Sequence, residues 1–222
     1  MEKRVVKPLF GFALAGLVLF GSGCSSKITE PEKYSGFLGD YSKLEETMSA
    51  SGKPVMRWTA PGFDPQRYGS LMVEKPVFYP AQAPSDQLSQ ETMDKIATYM
   101  RLALQRELVG KMRLVGEPEA DTIILRPSIS AVAVSNEDLK VYEVIPIALL
   151  AAAATTAAGT RDQEVTIYAE VEALDGTTGK PVARTVRKGQ GLSLENRKTP
   201  LILDDVKPVL DEWAKDARDF RP

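Results

Sequence analysis

The chain has 222 residues, a formal net charge of −2 and a single cysteine, and it contains no histidine. The absence of histidine excludes a Ser–His–Asp triad and histidine-ligated zinc or haem, and the lone cysteine excludes an internal disulfide and a thiolate metal cluster. The mildly acidic balance gives no reason to expect a nucleic-acid partner. An enzyme built from this chain would depend on carboxylate, lysine or tyrosine chemistry, and we predict no metal and no organic cofactor.

The amino terminus has the pattern of an export signal. Basic Lys3, Arg4 and Lys7 precede an uncharged apolar run over residues 9–20, and small residues follow the run. The run is too short for a membrane-spanning helix, which takes about 20 apolar residues. We therefore predict that residues 1–23 are a cleaved signal peptide, with an uncleaved anchor as the alternative.

The signal ends at the sole cysteine, and this boundary resembles the lipobox of bacterial lipoproteins. Ser22 and Gly23 precede Cys24 as in that motif, whereas Gly21 stands where an aliphatic residue is usual. The resemblance implies that Cys24 is acylated, with palmitate among its chains, and becomes the first mature residue. Ser25 at the next position implies sorting to the outer membrane, facing the periplasm, rather than to the inner membrane. The alternative is an ordinary secretory signal followed by a free cysteine.

The next residues separate the anchor from the fold. Residues 24–33 are short, polar and proline-containing, so we predict a flexible, lipid-attached tether. Residues 34–222 are enough for a single domain. The first stretch of this domain, at residues 35–44, has apolar side chains interrupted by two glycines, which indicates an irregular segment packed onto the domain.

Two stretches of β-branched and aromatic residues follow. Residues 55–59 and 71–79 have the composition of strands and are bounded by proline and glycine. Pro76 lies inside the second stretch and cannot donate a ladder hydrogen bond, so it places that strand at a sheet edge or at a bulge.

Residues 89–109 are predicted to form an amphipathic helix. Ser89 is a good N-cap, and Gly110 stands where a left-handed C-cap is expected. The apolar side chains recur at spacings of three and four and so form one stripe. The stripe consists of Met93, Ile96, Met100, Ala103, Leu104 and Leu108.

Two extended stretches come after this helix. Residues 112–115 and 122–135 have strand composition, with turn-forming residues between them. Strict alternation predicts that one set of the second stretch shares a face. That set is Ile123, Leu125, Ile129, Ala131 and Ala133.

The stretch 144–160 is rich in alanine and carries no charge. An exposed apolar patch of this size is unusual for a monomer. It is the predicted place for docking of an envelope protein or for self-association. The alternatives are insertion into a membrane and packing against the domain itself.

Residues 165–175 alternate between apolar and polar side chains, and residues 181–187 can return as a hairpin partner after a turn. The alternation predicts a strand with one buried face and one face in water. The predicted solvent-facing set consists of Thr166, Tyr168, Glu170 and Glu172.

Helical spacing returns over residues 200–220. Pro208 lies within this stretch, so either a helix kinks there or a new helix begins at Pro208. In sum we predict an α+β domain. It has a mostly antiparallel sheet of about four to five strands, with two amphipathic helices packed on one face.

Several segments resemble the bacterial lipoprotein family known as domain of unknown function 3313. SGFLGDYSKL at residues 35–44 looks like the opening motif of that family. The stretches 67–79 and 165–180 and the helix that carries Trp213 are similar to it in order and spacing. The resemblance implies an envelope lipoprotein, and it transfers no catalytic residue.

Few side chains are candidates for chemistry. Glu170 and Glu172 could act as paired carboxylates, although glutamates on a solvated strand face are far more often structural. Four aromatic side chains could line a glycan or lipid groove, with core and edge packing as the alternative. These are Trp58, Tyr68, Phe78 and Tyr79.

We therefore predict a non-enzymatic interaction or accessory module of the cell envelope, joined to the membrane through acyl chains on Cys24. One alternative is a carboxylate-dependent enzyme acting on cell-wall glycan or lipid. The other is a carrier of lipid or of another small ligand, which requires an apolar pocket large enough for acyl chains.

Overall fold

The computed structural model describes residues 28–136 and 163–222. These ranges contain one sheet of eight strands and two α-helices. The strands are β1 (Glu45–Met48), β2 (Pro54–Thr59), β3 (Ser70–Val73), β4 (Val77–Phe78), β5 (Arg113–Leu114), β6 (Thr122–Asn136), β7 (Gln163–Asp175) and β8 (Pro181–Gln190). The helices are α1 (Gln90–Leu108) and α2 (Leu203–Arg218). The predicted signal peptide, Cys24 and the stretch 144–160 lie outside the described residues.

The strands lie in the order β1-β2-β8-β7-β6-β3-β5, and β4 pairs with β6 beyond the end of β3. The run from β1 to β6 is antiparallel, whereas β3, β4 and β5 join in parallel. The predicted α+β class and mostly antiparallel sheet are therefore confirmed. The strand number is higher than predicted, because the chain leaves the ladder before Pro76 and because the polar segment Glu45–Met48 adds an edge strand.

We call the sheet face that packs against the helices the inner face, and the opposite one the outer face. Ile167 and Ala169 of β7 point inward into the core, and Tyr168 and Glu170 alternate with them on the outer face. Both helices contribute to a single core cluster with the inner face. No helix among the described residues is long and apolar enough to cross a membrane.

Helix α1 begins as predicted, because the Oγ of Ser89 accepts a hydrogen bond from the N–H of Thr92 at 3.1 Å. Its C-terminus differs from the prediction, since Gly110 is absent from the glycines with positive φ. Instead, the carbonyl of Leu108 accepts hydrogen bonds from the N–H groups of Lys111 at 2.9 Å and Met112 at 3.1 Å. A tight turn therefore satisfies this carbonyl without a left-handed cap.

Helix α2 runs through Pro208, so the alternative in which a helix starts at that proline is wrong. The helix begins five residues earlier, at Leu203, where the carboxylate of Asp205 accepts a hydrogen bond from the N–H of Ile202 at 2.8 Å. Pro208 removes the N–H that would bond to the carbonyl of Asp204. Asp204 is exposed, so water can satisfy that carbonyl.

A bulge in β6 changes which of its side chains reach the core. The pairing with β7 shifts register between Ile129 and Ala131. After the shift Val132 and Val134 join the core cluster, and Ala131 and Ala133 point to the outer face. The predicted common face for Ile123 through Ala133 is therefore wrong beyond Ile129, because one extra residue reverses the alternation.

Candidate functional site

A cavity of about 1230 Å³ lies between the inner face of the sheet and the C-terminal halves of the two helices. Ligand pockets in proteins usually measure about 300–1,000 Å³, so this one is large. Its floor is formed by the middle strands β6, β7 and β8, and its roof by α1 and α2. Residues 63–66, Tyr68 and the last residues of the chain, 219–222, also line it.

The sheet leaves space beneath the helices because the side chains on the floor are short. Ala173 of β7 and Ala183 of β8 are register partners, and both line the cavity. Leu125 and Val171 lie on central strands, yet they are only half-buried. Apolar atoms beside a void lack contact partners on one side. An apolar molecule in the cavity would supply the contacts that these side chains do not receive from the protein.

The roof is apolar as well. Leu104 and Leu108 of α1 are one helical turn apart and face the cavity together with Met100. Trp213 and Ala217 have the same spacing on α2. The cavity is therefore lined by apolar side chains above and below.

Polar contacts between the helices hold the roof together. Asp211 of α2 accepts hydrogen bonds from the Oη of Tyr99 at 2.7 Å and from the guanidinium of Arg106 at 2.8 Å. Arg218 of α2 donates to the carboxylate of Glu107 at 2.7 Å. These contacts join the helices to each other rather than to the floor, so they leave the space below them open.

One wall of the cavity is charged. The carboxylate of Asp216 accepts hydrogen bonds from the N–H of Ser51 at 2.7 Å, from the Oγ of Ser51 at 3.1 Å and from the guanidinium of Arg187. Burial by itself would raise the pKa of Asp216, but the hydrogen bond and charge of Arg187, with the N–H of Ser51, hold that pKa below its usual value. Asp216 is therefore an ionised, fully engaged carboxylate.

Arg57 of β2 lies on the same wall. Its side chain lines the cavity, and its guanidinium carbon lies 5.1 Å from the ring centroid of Phe220. Burial and the nearby charge of Arg187 lower the pKa of Arg57 from its usual value. Within the described residues, Arg57 has this cation–π contact and no hydrogen bond or ion pair through its side chain.

The outer face of β7 is covered, and the prediction of a solvated face there is wrong. Tyr168, Glu170 and Glu172 are exposed by only 3%, 0% and 6%. The segment 35–44 packs over them and buries its own Leu38. Alternation identified the polar side of the strand correctly, but it carried no information about what covers that side.

Glu170 holds the covering segment in place. One carboxylate oxygen accepts a hydrogen bond from the N–H of Ser35 at 2.7 Å, and the other accepts one from the hydroxyl of Tyr41 at 2.6 Å. The same Tyr41 oxygen accepts the N–H of Gly36 at 2.8 Å, and Gly36 has a φ of +91°, which suits glycine. Burial and the hydrogen bond to Glu170 raise the pKa of Tyr41 to about 12.

Glu172 is engaged with two guanidinium groups. One oxygen accepts a hydrogen bond from Arg184 at 2.9 Å and the other from Arg126 at 3.2 Å. Arg184 in turn lies 5.9 Å from the ring centroid of Trp58. The two glutamates therefore have separate partners, the covering segment for Glu170 and two arginines for Glu172.

The four candidate aromatic side chains occupy different places. Tyr68 lines the cavity and donates to the carboxylate of Asp175 at 3.0 Å. Trp58 lies on the outer face, Phe78 packs against the core, and Tyr79 is 43% exposed. The structure therefore brings one of the four to the cavity.

Sequence reasoning missed the side chains that define the cavity, among them Arg57, Ala183 and Trp213. No local sequence pattern identifies them, because they come from β2, β8 and α2 and lie close together only in the folded protein. Cys24, the predicted lipid-attachment residue, lies outside the described residues. The described part of the chain holds no group of three His, Cys, Asp or Glu side chains suited to a metal ion.

Comparisons with known proteins place these features in context. The family described as "Protein of unknown function (DUF3313)" matches residues 33–217. A relative from Escherichia coli, named "Uncharacterized lipoprotein YdcL", is 42% identical over 208 residues, which cover 94% of this chain and 93% of that protein. Among solved structures, the PelC dodecamer from Paraburkholderia phytofirmans is similar with a TM-score of 0.40 and 9% identity, over 74% of this chain and 96% of its own. A likeness of that size carries no functional argument.

Proposed function

The chain belongs to the DUF3313 family, and we propose that it is a lipid-anchored envelope protein whose folded domain binds an apolar ligand without transforming it. The observation that carries the proposal is the cavity of about 1230 Å³, whose apolar floor includes the half-buried Leu125 and Val171 on the central strands of the sheet. The relative from Escherichia coli is named a lipoprotein, which supports envelope association. Of the alternatives that follow from the sequence, this proposal corresponds to the carrier of lipid or of another small ligand.

The anchor in this proposal is Cys24. The lipobox-like residues before it favour acylation, and Ser25 after it favours the outer membrane with the domain in the periplasm. Each buried methylene group contributes about 0.8 kcal/mol, and a single acyl chain binds a membrane only marginally. Stable anchoring therefore calls for more than one chain on Cys24.

The absence of catalysis is part of the proposal. Both carboxylate oxygens of Glu170 accept hydrogen bonds from the covering segment, and both oxygens of Glu172 accept from arginines. Asp216, the buried carboxylate nearest the cavity, is engaged by Arg187 and Ser51. Such fully engaged carboxylates support a binding protein over a carboxylate-dependent hydrolase of cell-wall glycan or lipid.

An accessory role in the envelope suits a protein that holds an apolar molecule, since water dissolves such molecules poorly. The uncharged stretch 144–160 remains the predicted contact for an envelope protein or for a second copy of the chain. Cross-linking in intact envelopes, followed by identification of the cross-linked species, tests that contact. Recovery of the uncross-linked monomer alone would argue against it.

The chain contains two tryptophans, and one of them is a built-in reporter for the cavity. Trp213 lines the cavity, whereas Trp58 lies on the outer face beside Arg184. In the Trp58→Phe variant, all tryptophan emission comes from the cavity. We expect a brominated long-chain fatty acid, or its methyl ester, to quench this emission when the acylated protein is reconstituted in lipid vesicles.

The Trp213→Phe variant is the matched control, because its remaining Trp58 is separated from the cavity by the sheet. Its emission should be quenched less than that of Trp213 at equal probe content, because only the cavity holds a bound bromine atom. If neither the acid nor the ester quenches Trp213, or if both tryptophans are quenched alike, the proposed function is wrong.

A further inference from the structure

The charged wall of the cavity contains more positive than negative charge. Arg57 and Arg187 supply two guanidinium groups, and Asp216 supplies one carboxylate. The carboxylate of Asp216 already accepts hydrogen bonds from Arg187 and from Ser51. Arg57 is therefore left with one aromatic ring and no anion among the described residues.

Arg57 is fixed at this place by the sheet. It pairs in register with Thr185 of β8, and its neighbours Met56 and Trp58 point to the outer face, so alternation directs Arg57 toward the helices. The side chain is half-buried beside the apolar floor. A partly desolvated guanidinium without an anionic partner is unfavourable, so the position gains from an anion that the chain itself does not supply.

Several other charged groups that line the cavity have partners of their own. Arg218 donates to Glu107 and to Asp219, and Lys111 donates to the carbonyl of Arg218. Asp64 accepts the N–H of Gln66 at 2.9 Å and caps the short turn there. No described carboxylate lies within ion-pair distance of Arg57, and Asp216 on the same wall is paired with Arg187.

We propose that the cavity binds a single-chain amphiphile with an anionic head, the apolar tail lying over Val171 and Ala183 and the head paired with Arg57. This inference rests on the proposed function and specifies its ligand class. A guanidinium presents two parallel N–H donors to a carboxylate or a phosphate, so either head is recognised by the same chemistry. The tail supplies the missing contacts on the floor, and the head supplies the missing charge on the wall.

The test compares the brominated fatty acid with its methyl ester on the Trp58→Phe protein in vesicles, at equal probe content in the membrane. The two probes share the tail and differ in the charge of the head. We expect the acid to bind at least about tenfold more tightly, because hydrogen bonds to charged groups are worth more than neutral ones. An unbrominated lysophosphatidic acid should compete with the brominated acid and restore the emission of Trp213, and its relative affinity distinguishes a phosphate-headed from a carboxylate-headed ligand.

Two variants separate recognition of the head from stability of the site. Arg57→Gln keeps most of the side-chain length and should bind acid and ester equally, while Arg57→Lys should retain part of the preference. Arg101→Gln removes an exposed arginine of α1 that does not line the cavity and should change nothing. Thermal unfolding of each variant shows whether the fold is intact.

The outcomes differ for the two proposals. If the unsubstituted Arg57 protein binds acid and ester with equal affinity, the anionic head is wrong and an apolar ligand stands. If Arg57→Gln weakens both probes to the same extent, Arg57 supports the structure of the site, and its role in selecting the head is overturned. If neither probe binds, the proposed function itself fails.

Discussion

The two faces of the sheet bury charged side chains in opposite ways. On the outer face, Glu170 and Glu172 are buried, yet each of their carboxylate oxygens has a donor. On the inner face, the less buried Arg57 has no anion. The comparison shows that the depth to which a charged side chain is buried does not by itself identify a binding site. The guanidinium of Arg57 is the more informative group, because it has no anionic partner among the described residues and a ligand can supply one.

The same contrast holds for the apolar parts. The outer face is closed by residues 35–44, whose Leu38 is buried against it, so this family motif has a structural role in the chain. The inner face is roofed by two helices that bond to each other above low-lying alanines. The outer face is covered by a segment of the chain itself, whereas a cavity remains between the inner face and the helices.

The largest effect should come from breaking the buried ion pairs of the outer face. Glu172→Ala leaves Arg184 with only the more distant carboxylate of Asp40, at 3.9 Å. We expect a loss of about 3 kcal/mol in the free energy of unfolding, at the low end for a buried pair because Arg126 is partly exposed. Urea denaturation measures this loss. Glu117→Ala, at an exposed position, should change the stability by less than about 0.5 kcal/mol. Equal losses would mean that the outer face is not held by its charges.

The bond between the covering segment and the sheet should be next in size. A double-mutant cycle on Tyr41→Phe and Glu170→Gln should give a coupling free energy of about 1.5 kcal/mol, as for a hydrogen bond to a charged group. Replacing Glu170→Gln by Glu164→Gln, on the same strand but without contact to Tyr41, should give no coupling. A vanishing coupling for the first pair would contradict the role assigned to Glu170.

One substitution made on both faces tests the comparison directly. Ala183→Leu extends into the cavity and should stabilise the protein by about 1 kcal/mol while abolishing quenching of Trp213. Ala133→Leu on the filled outer face should destabilise it by about 1 kcal/mol or more, because Ala133 is already buried. Thermal unfolding measures both signs. Destabilisation by both variants would mean that the space beneath the helices cannot accept added atoms.

The smallest effect concerns alkaline pH. The pKa of Tyr41 is raised to about 12, so the stability that its neutral hydroxyl contributes is complete below the ordinary tyrosine pKa of about 10 and is lost as the pH rises through the raised value. Urea unfolding across that window should show a steeper fall for the unsubstituted protein than for Tyr41→Phe. Parallel curves would show that ionisation of the Tyr41 hydroxyl does not change the free energy of unfolding.

The sequence was informative where one stretch decides its own structure. Ser89 begins α1 because its Oγ bonds within the first helical turn, and the alternation of residues 165–175 correctly separates the two faces of β7. It was uninformative where distant stretches meet. The bulge that turns Ala131 outward depends on pairing with β7, and the burial of Glu170 depends on a segment 135 residues away from it.

The cavity is the clearest example of that limit. Alanines at 173 and 183 are unremarkable within their strands, and the apolar stripe of α1 has the pattern of any core-facing helix. The space arises because short side chains on the floor oppose the ends of two helices that are joined to each other. Arg57 likewise looks like any arginine on an amphipathic strand until the positions of all carboxylates are known.

The burial of Thr29 sets how far the domain can stand from a bilayer. Its side chain is 1% exposed, and the neighbouring Glu30 lies close enough to Tyr168 and Lys188 of the outer face to influence their pKa values. The chain from an acylated Cys24 to Thr29 reaches at most about 18 Å when fully extended. In the anchoring proposed for Cys24, the folded domain therefore begins within that distance of the acyl chains.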